Sequence, residues 1–165
     1  MNELVTGRLR LRPIGVLEAR CVVAGVPGPA SAWAPGYPTT GDIISVGGYL
    51  EYWAAVGDPC PFGPYQLVRT EDGLVIGGAG FHGPPDHDGE VEVGYGVIPA
   101  ARRSGYATEA LRALLAFAQA RGVTAVRGAA DRANQASHRV MIGAGMTFLA
   151  EDHDHQHYVV RYPAR

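Results

Sequence analysis

The chain is expected to form a mixed α/β domain, a sheet flanked by helices, and three observations carry that expectation. Short apolar runs near 64–70, 74–82 and 90–98 have the length and alternation of strands. The last of them opens, through a short basic turn, onto an alanine- and leucine-rich segment with helical spacing. The composition, 47% hydrophobic and 18% charged over 165 residues, suits one domain spanning 1–165 with a real core and excludes a disordered chain.

Taken in order, Thr6-Gly7-Arg8-Leu9-Arg10-Leu11-Arg12-Pro13 alternates apolar and basic residues, as a strand with one exposed face does. The Gly- and Pro-rich stretch 25–48 reads as loops with short helices. Residues 43–56 hold a helix carrying Tyr49, Leu50, Tyr52 and Trp53. Strands at 64–70 and 74–82 are joined by Glu71-Asp72-Gly73, which has hairpin-turn chemistry. Pro84-Pro85-Asp86-His87-Asp88-Gly89 is a loop before the strand at 90–98. The helix at 106–121 sets Leu111, Leu114, Leu115 and Ala118 on one face, and Gly122 stops it. A strand at 123–130, a helix at 135–143 and strands at 146–151 and 157–162 complete the order.

The turn at Arg102-Arg103-Ser104-Gly105-Tyr106-Ala107 carries the most chemistry. The first amides of a helix have no intrahelical acceptors and sit at the positive end of its dipole, which makes them an anion site. Two arginines strengthen it, and Gly105 lets a ligand approach the backbone closely. The expected ligand is a phosphate group, a pyrophosphate above all. A nucleotide-hydrolase loop is excluded because no Gly-Lys pair occurs in the chain. A dinucleotide fingerprint is incomplete: Gly94 and Gly96 are present, but Pro99 stands where the third glycine belongs.

Other classes are disfavoured. No apolar run approaches the ~18 residues of a membrane span, and the N-terminal region has no apolar leader. Cys21 and Cys60 are widely spaced and form no metal or redox pair, as expected of reduced thiols in a cytoplasmic protein. A net charge of −2 argues against a nucleic-acid partner.

The form Arg102-x-x-Gly105-x-Ala107 resembles the acetyl-CoA pyrophosphate loop of the GNAT superfamily of N-acetyltransferases. Thr6 to Pro13 resembles the opening strand of the branch containing the ribosomal-protein N-terminal acetyltransferases. Leu74-Val75-Ile76-Gly77-Gly78-Ala79-Gly80-Phe81 resembles that branch's central strand. Asn134-Gln135-Ala136-Ser137-His138-Arg139-Val140-Met141, with Gly145-Met146, resembles its second helix and the strand that follows. The four segments keep the family's order over essentially the whole chain.

The resemblance implies a mixed, mostly antiparallel sheet, splayed at the cofactor-binding strand, and acetyl transfer from acetyl-CoA to a primary amine by direct attack. Backbone groups at Val97 and Ile98 would pair with the pantetheine. Arg102 and the amides of Arg103, Ser104, Gly105, Tyr106, Ala107 and Thr108 would hold the pyrophosphate. Glu92, on the face shared by Gly94 and Gly96, is the implied general base, with Glu90 and His82 as alternatives. Many relatives place an acidic tyrosine on the later helix, but that slot holds Met141 here. Ser137 is the implied substitute beside the thiol, and Asn134 would contact the pantetheine or cap the helix.

The acceptor is a protein N-terminus or a small-molecule amine, and the protein a monomer or homodimer. The histidines of Asp152-His153-Asp154-His155-Gln156-His157 read as a polar hairpin tip rather than a metal site, so no metal is expected. The missing tyrosine keeps a second reading open, a CoA-binding regulatory protein with little or no turnover.

Overall fold

A computed structural model describes residues 3–164. Thirteen elements follow one another: β1 (Leu4–Val5), β2 (Leu9–Pro13), α1 (Val16–Ala24), β3 (Ala32–Trp33), α2 (Thr40–Val56), β4 (Pro64–Arg69), β5 (Leu74–Phe81), β6 (Glu90–Val97), α3 (Tyr106–Ala120), β7 (Ala125–Asp131), α4 (Gln135–Gly143), β8 (Thr147–Glu151) and β9 (His155–Arg161). A single 3-10 turn, Pro99–Ala101, links β6 to the basic turn. The strands run β1-β2-β4-β5-β6-β7-β9-β8 across the sheet, with β3 alongside β5. All pairings are antiparallel except β3 with β5 and β6 with β7. The mixed, mostly antiparallel sheet with flanking helices is therefore as expected.

The core forms where the periodicities demand it. Ala110, Leu111, Leu114, Leu115 and Ala118 of α3 are buried against strand residues such as Leu9, Leu67, Ile76 and Val126. Leu111 and Leu114 are wholly buried, each stabilising the fold by roughly 1.5–3 kcal/mol through apolar area removed from water. Gly122, at φ 77°, follows the helix as its stop.

Three expectations need correction. The strand expected from Thr6 starts at Leu9, because Thr6, Gly7 and Arg8 make the turn from β1; Thr6 Oγ1 and the Arg8 amide both donate to Glu109 of α3. Helix α1 was not anticipated. Its N-cap is Gly15, without a side-chain cap, and Leu17 faces solvent, so the apolar stripe that marks a packed helix is broken. The helix expected at 43–56 starts three residues earlier, at Thr40. Thr39 and Asp42 form a capping box that fixes this start despite Gly41, Gly47 and Gly48.

Candidate active site

β6 and β7 pair only at Glu90–Ala125, Val91–Val126 and Glu92–Arg127. Beyond Glu92 the two strands run on unpaired, to Val97 and Asp131, and leave a gap. On its other side β6 stays paired with β5. His82 N–H donates to Glu92 C=O and Ile98 N–H to Ile76 C=O, so the even-numbered residues of this stretch bond towards β5. Backbone groups of Val93, Tyr95 and Val97 consequently point into the gap. The expectation for Ile98 is thereby corrected, because its N–H is taken by Ile76 and its C=O accepts from Ala101. The Val97 carbonyl receives Arg102 Nε at 3.3 Å.

Past the gap, the chain makes the basic turn. Arg103 and Gly105 both adopt left-handed conformations, at φ 61° and 80°. Alternating the hand of successive residues turns their amides towards a common centre, an anion-holding concavity. Among the described residues, no amide from 103 to 108 donates to a protein acceptor, and the Gly105 N-cap offers no side-chain cap. Arg8 reaches over the turn, with NH1 2.8 Å from Ser104 C=O and its guanidinium 4.4 Å from the centre of the Tyr106 ring. The Arg8 Nε–Glu109 pair, at 2.8 Å, neutralises the one carboxylate in the first turn of α3.

On the helix side of the gap, Asn134 caps α4 by accepting the Ser137 amide at 3.1 Å. Ser137 Oγ lies 2.7 Å from the phenol of Tyr95, which also donates to Ser137 C=O at 3.1 Å. Burial pushes the Tyr95 phenol up, partly offset by its bond to Ser137, so it stays protonated at neutral pH. A tyrosine on β6 thus stands beside Ser137, while α4 itself holds none. The slot at Met141 is wholly buried, against Gly128, and faces the core.

The opposite face of β5 and β6 is floored by glycine. Gly78 pairs with Gly96 and Gly80 with Gly94, so four residues without side chains adjoin. A cleft of about 230 Å³ stands over them, bordered by Tyr37, Thr39 and Asp42 from the α2 side and by His82. The His82 ring covers Gly94: a methyl built there would meet Nε2 at 2.7 Å, whereas Gly96 is open. His82 Nδ1 faces Glu92 Oε1 at 3.6 Å. His82 holds the Glu92 carboxyl below its ordinary range, against burial, with help from His157 and Arg127. Glu90 is clamped by Arg127 and Arg161, at 2.5 and 3.1 Å, and its carboxyl is likewise lowered, chiefly by Arg127.

The last hairpin differs from its expected form, since His155 and His157 lie on β9 and only His153 is at the tip. His157 Nε2 is 2.7 Å from Asp152 Oδ2, and Asp152 Oδ1 accepts the amides of Asp154 and His155. Asp86, His87 and Asp88 bring potential ligand atoms within 4.8 Å of one another. All three are exposed, and Asp86 Oδ1 already accepts the amides of Asp88 and Glu90. No helix among the described residues is long and apolar enough to cross a membrane.

An open α/β sheet whose middle strands part beside a helix N-terminus with unpaired amides defines a narrow class of protein. Residues 8–147 match the family described as acetyltransferase (GNAT) domain, and the chain belongs to that family. It is 26% identical to the uncharacterized N-acetyltransferase YjdG of Bacillus subtilis (strain 168) over 99 residues, 59% of this chain and 59% of that one. Its fold resembles an acetyltransferase from Agrobacterium tumefaciens str. C58 (24% identity, TM-score 0.68, 98% of this chain and 95% of that one). It also resembles RimL, a ribosomal L7/L12 alpha-N-protein acetyltransferase in complex with coenzyme A (17% identity, TM-score 0.67, 97% and 98%).

Proposed function

We propose that this protein transfers an acetyl group from acetyl-CoA to a primary amine, directly and without an acyl-enzyme. The observation that carries the reading is the run of six consecutive amides, 103–108, with no protein acceptor, beside strands that part. A pyrophosphate satisfies such a run, and the N–H groups of Tyr95 and Val97 offer ladder partners to a pantetheine in the gap. Acetyl-CoA supplies the activated acyl group. The protein holds it on one side of β6 and admits the amine through the glycine-floored cleft on the other.

His82 is the better placed base. It borders the cleft, whereas Glu92 stands behind it and faces Nδ1. In this arrangement the carboxylate orients the ring and leaves Nε2 to take the ammonium proton. Glu90 is withdrawn by its two arginines. The departing thiolate needs a proton, which the Tyr95–Ser137 pair is equipped to donate: a phenol kept protonated by burial, relayed through a serine 2.7 Å away. Two free cysteines fit a reducing cytoplasm.

Thiol release from acetyl-CoA over a panel of primary amines tests this function. The chain contains no lysine, all 14 Lys+Arg residues being arginine, so no side chain of the enzyme competes as acceptor. Amine-dependent release is expected. Tight acetyl-CoA binding with no release on any amine would instead favour a CoA-binding regulatory protein.

A further inference from the structure

The cleft has two ends with different chemistry. His82 stands over Gly94 at one end; at the other, over Gly78, α2 sets Asp42. Asp42 closes the capping box with one oxygen only: Oδ2 accepts the Thr39 amide at 2.8 Å and the Thr39 hydroxyl at 2.7 Å. Oδ1 receives no hydrogen bond from the described residues. It lies against the floor, where a methyl at Gly78 would come within 2.6 Å of it. Most helix caps sit in water, but Asp42 is 7% exposed, and no Lys or Arg lines the cavity. Standing at the cleft without a protein partner, this oxygen is free to accept a charge-assisted hydrogen bond from an incoming cation. Burial accordingly raises the Asp42 carboxyl above its ordinary value, and the Thr39 bonds pull it partly back.

Resting on the transferase reading above, we propose that Asp42 is a specificity-determining residue that anchors a second cationic group of the acceptor, so that short diamines and dibasic amino compounds are preferred over monoamines. The spacing follows from the strands. Gly78 and Gly94 are diagonal neighbours across β5 and β6, about 7–8 Å apart, which a spacer of about four methylenes with a hydrogen bond at each end spans. The glycine floor keeps this path free of side chains. The anchored cation fixes the other nitrogen beside His82 Nε2, where it is deprotonated.

The test compares 1,4-diaminobutane with butylamine, by kcat/KM for acetylation and by calorimetric binding to the enzyme–CoA complex. Wild type should favour the diamine by roughly 10- to 100-fold, the worth of one charge-assisted hydrogen bond, and Asp42→Asn should erase that preference, with the diamine losing more than butylamine. Equal losses for both amines, with a lowered melting temperature, would mean that Asp42 only caps α2 and would overturn the proposal. Should Asp42→Asn fail to fold, Asp42→Glu keeps the charge and should move the optimum to a diamine one methylene shorter; an unmoved optimum overturns it too. Diamine binding that depends on Asp42 without acetyl transfer would support the anchor and overturn the transferase reading. Transfer to both amines at equal rates by wild type would do the reverse.

Discussion

His82 and Glu92 face each other across neighbouring strands, imidazole Nδ1 to carboxylate Oε1 at 3.6 Å, at the mouth of a cleft floored by Gly78, Gly80, Gly94 and Gly96. The pairing divides labour: the carboxylate faces one nitrogen, and the other turns over Gly94 into the cleft.

That division fixes a pH dependence. Glu92 is held below its ordinary range by His82, so it is ionised throughout the neutral range and its own proton cannot give a neutral limb. A neutral acid limb of the kcat/KM profile therefore belongs to a group other than Glu92. Glu92→Gln removes the carboxylate that faces His82 Nδ1, so turnover should fall by roughly 10-fold; His82→Ala should cost roughly 10²-fold. A limb confined to the carboxylate range, insensitive to His82→Ala, would make Glu92 the base.

Gly105 adopts φ 80° at the N-cap of α3. Gly105→Val should weaken acetyl-CoA binding by ~10-fold or more, because a β-branched side chain disfavours the left-handed turn and crowds the approach to its amides. The added Cβ would also lie 3.3 Å from Arg8. Calorimetric titration of the folded variant checks this, and an unchanged affinity would remove the anion turn from the account.

Tyr95→Phe deletes the phenol while keeping the ring, and Ser137→Ala deletes its partner. Each should lower turnover by roughly 3- to 30-fold, and the double variant should cost little more than the worse single one, since the pair acts as a unit. A double loss equal to the product of the singles would show that the two act independently, contrary to a shared proton path.

The Asp152 carboxyl is held below its ordinary value, mainly by His157 and also by the amides of His155 and Asp154. A lowered folded-state pKa means that this group contributes stability above the usual carboxylate range and loses it as pH falls through the folded value. Amide exchange at 152–156 should therefore quicken in Asp152→Asn at neutral pH and match wild type in strong acid, once intrinsic rates are corrected. A pH-independent difference would mean that the carboxylate's charge plays no part.

The legibility of the chain follows the range of its contacts. The strands Leu74–Phe81 and Glu90–Val97 and the helix Tyr106–Ala120 are readable to within a residue or so, because alternation, glycine and helical spacing are local signals. The six amides of the turn were nameable for the same reason. Tyr95 was missed because its partner Ser137 lies 42 positions away, and the expected phenol was sought on α4, where Met141 faces the core. Asp42 was missed as well, although Thr39-x-x-Asp42 is a local capping pattern; its place over Gly78 depends on how α2 packs on β5. His82 and Glu92 were both visible as candidates, but only the β5–β6 register, with Phe81 opposite Val93, makes them neighbours.

Residue-resolved amide hydrogen exchange with and without acetyl-CoA tests the central claim most directly. The amides from 103 to 108 have no acceptors among the described residues, so they should exchange rapidly in the free protein and gain protection together when acetyl-CoA binds. Protection concentrated there and at Tyr95 and Val97 is the predicted result. Saturating acetyl-CoA binding that leaves these amides exchanging at their free rates would contradict the account.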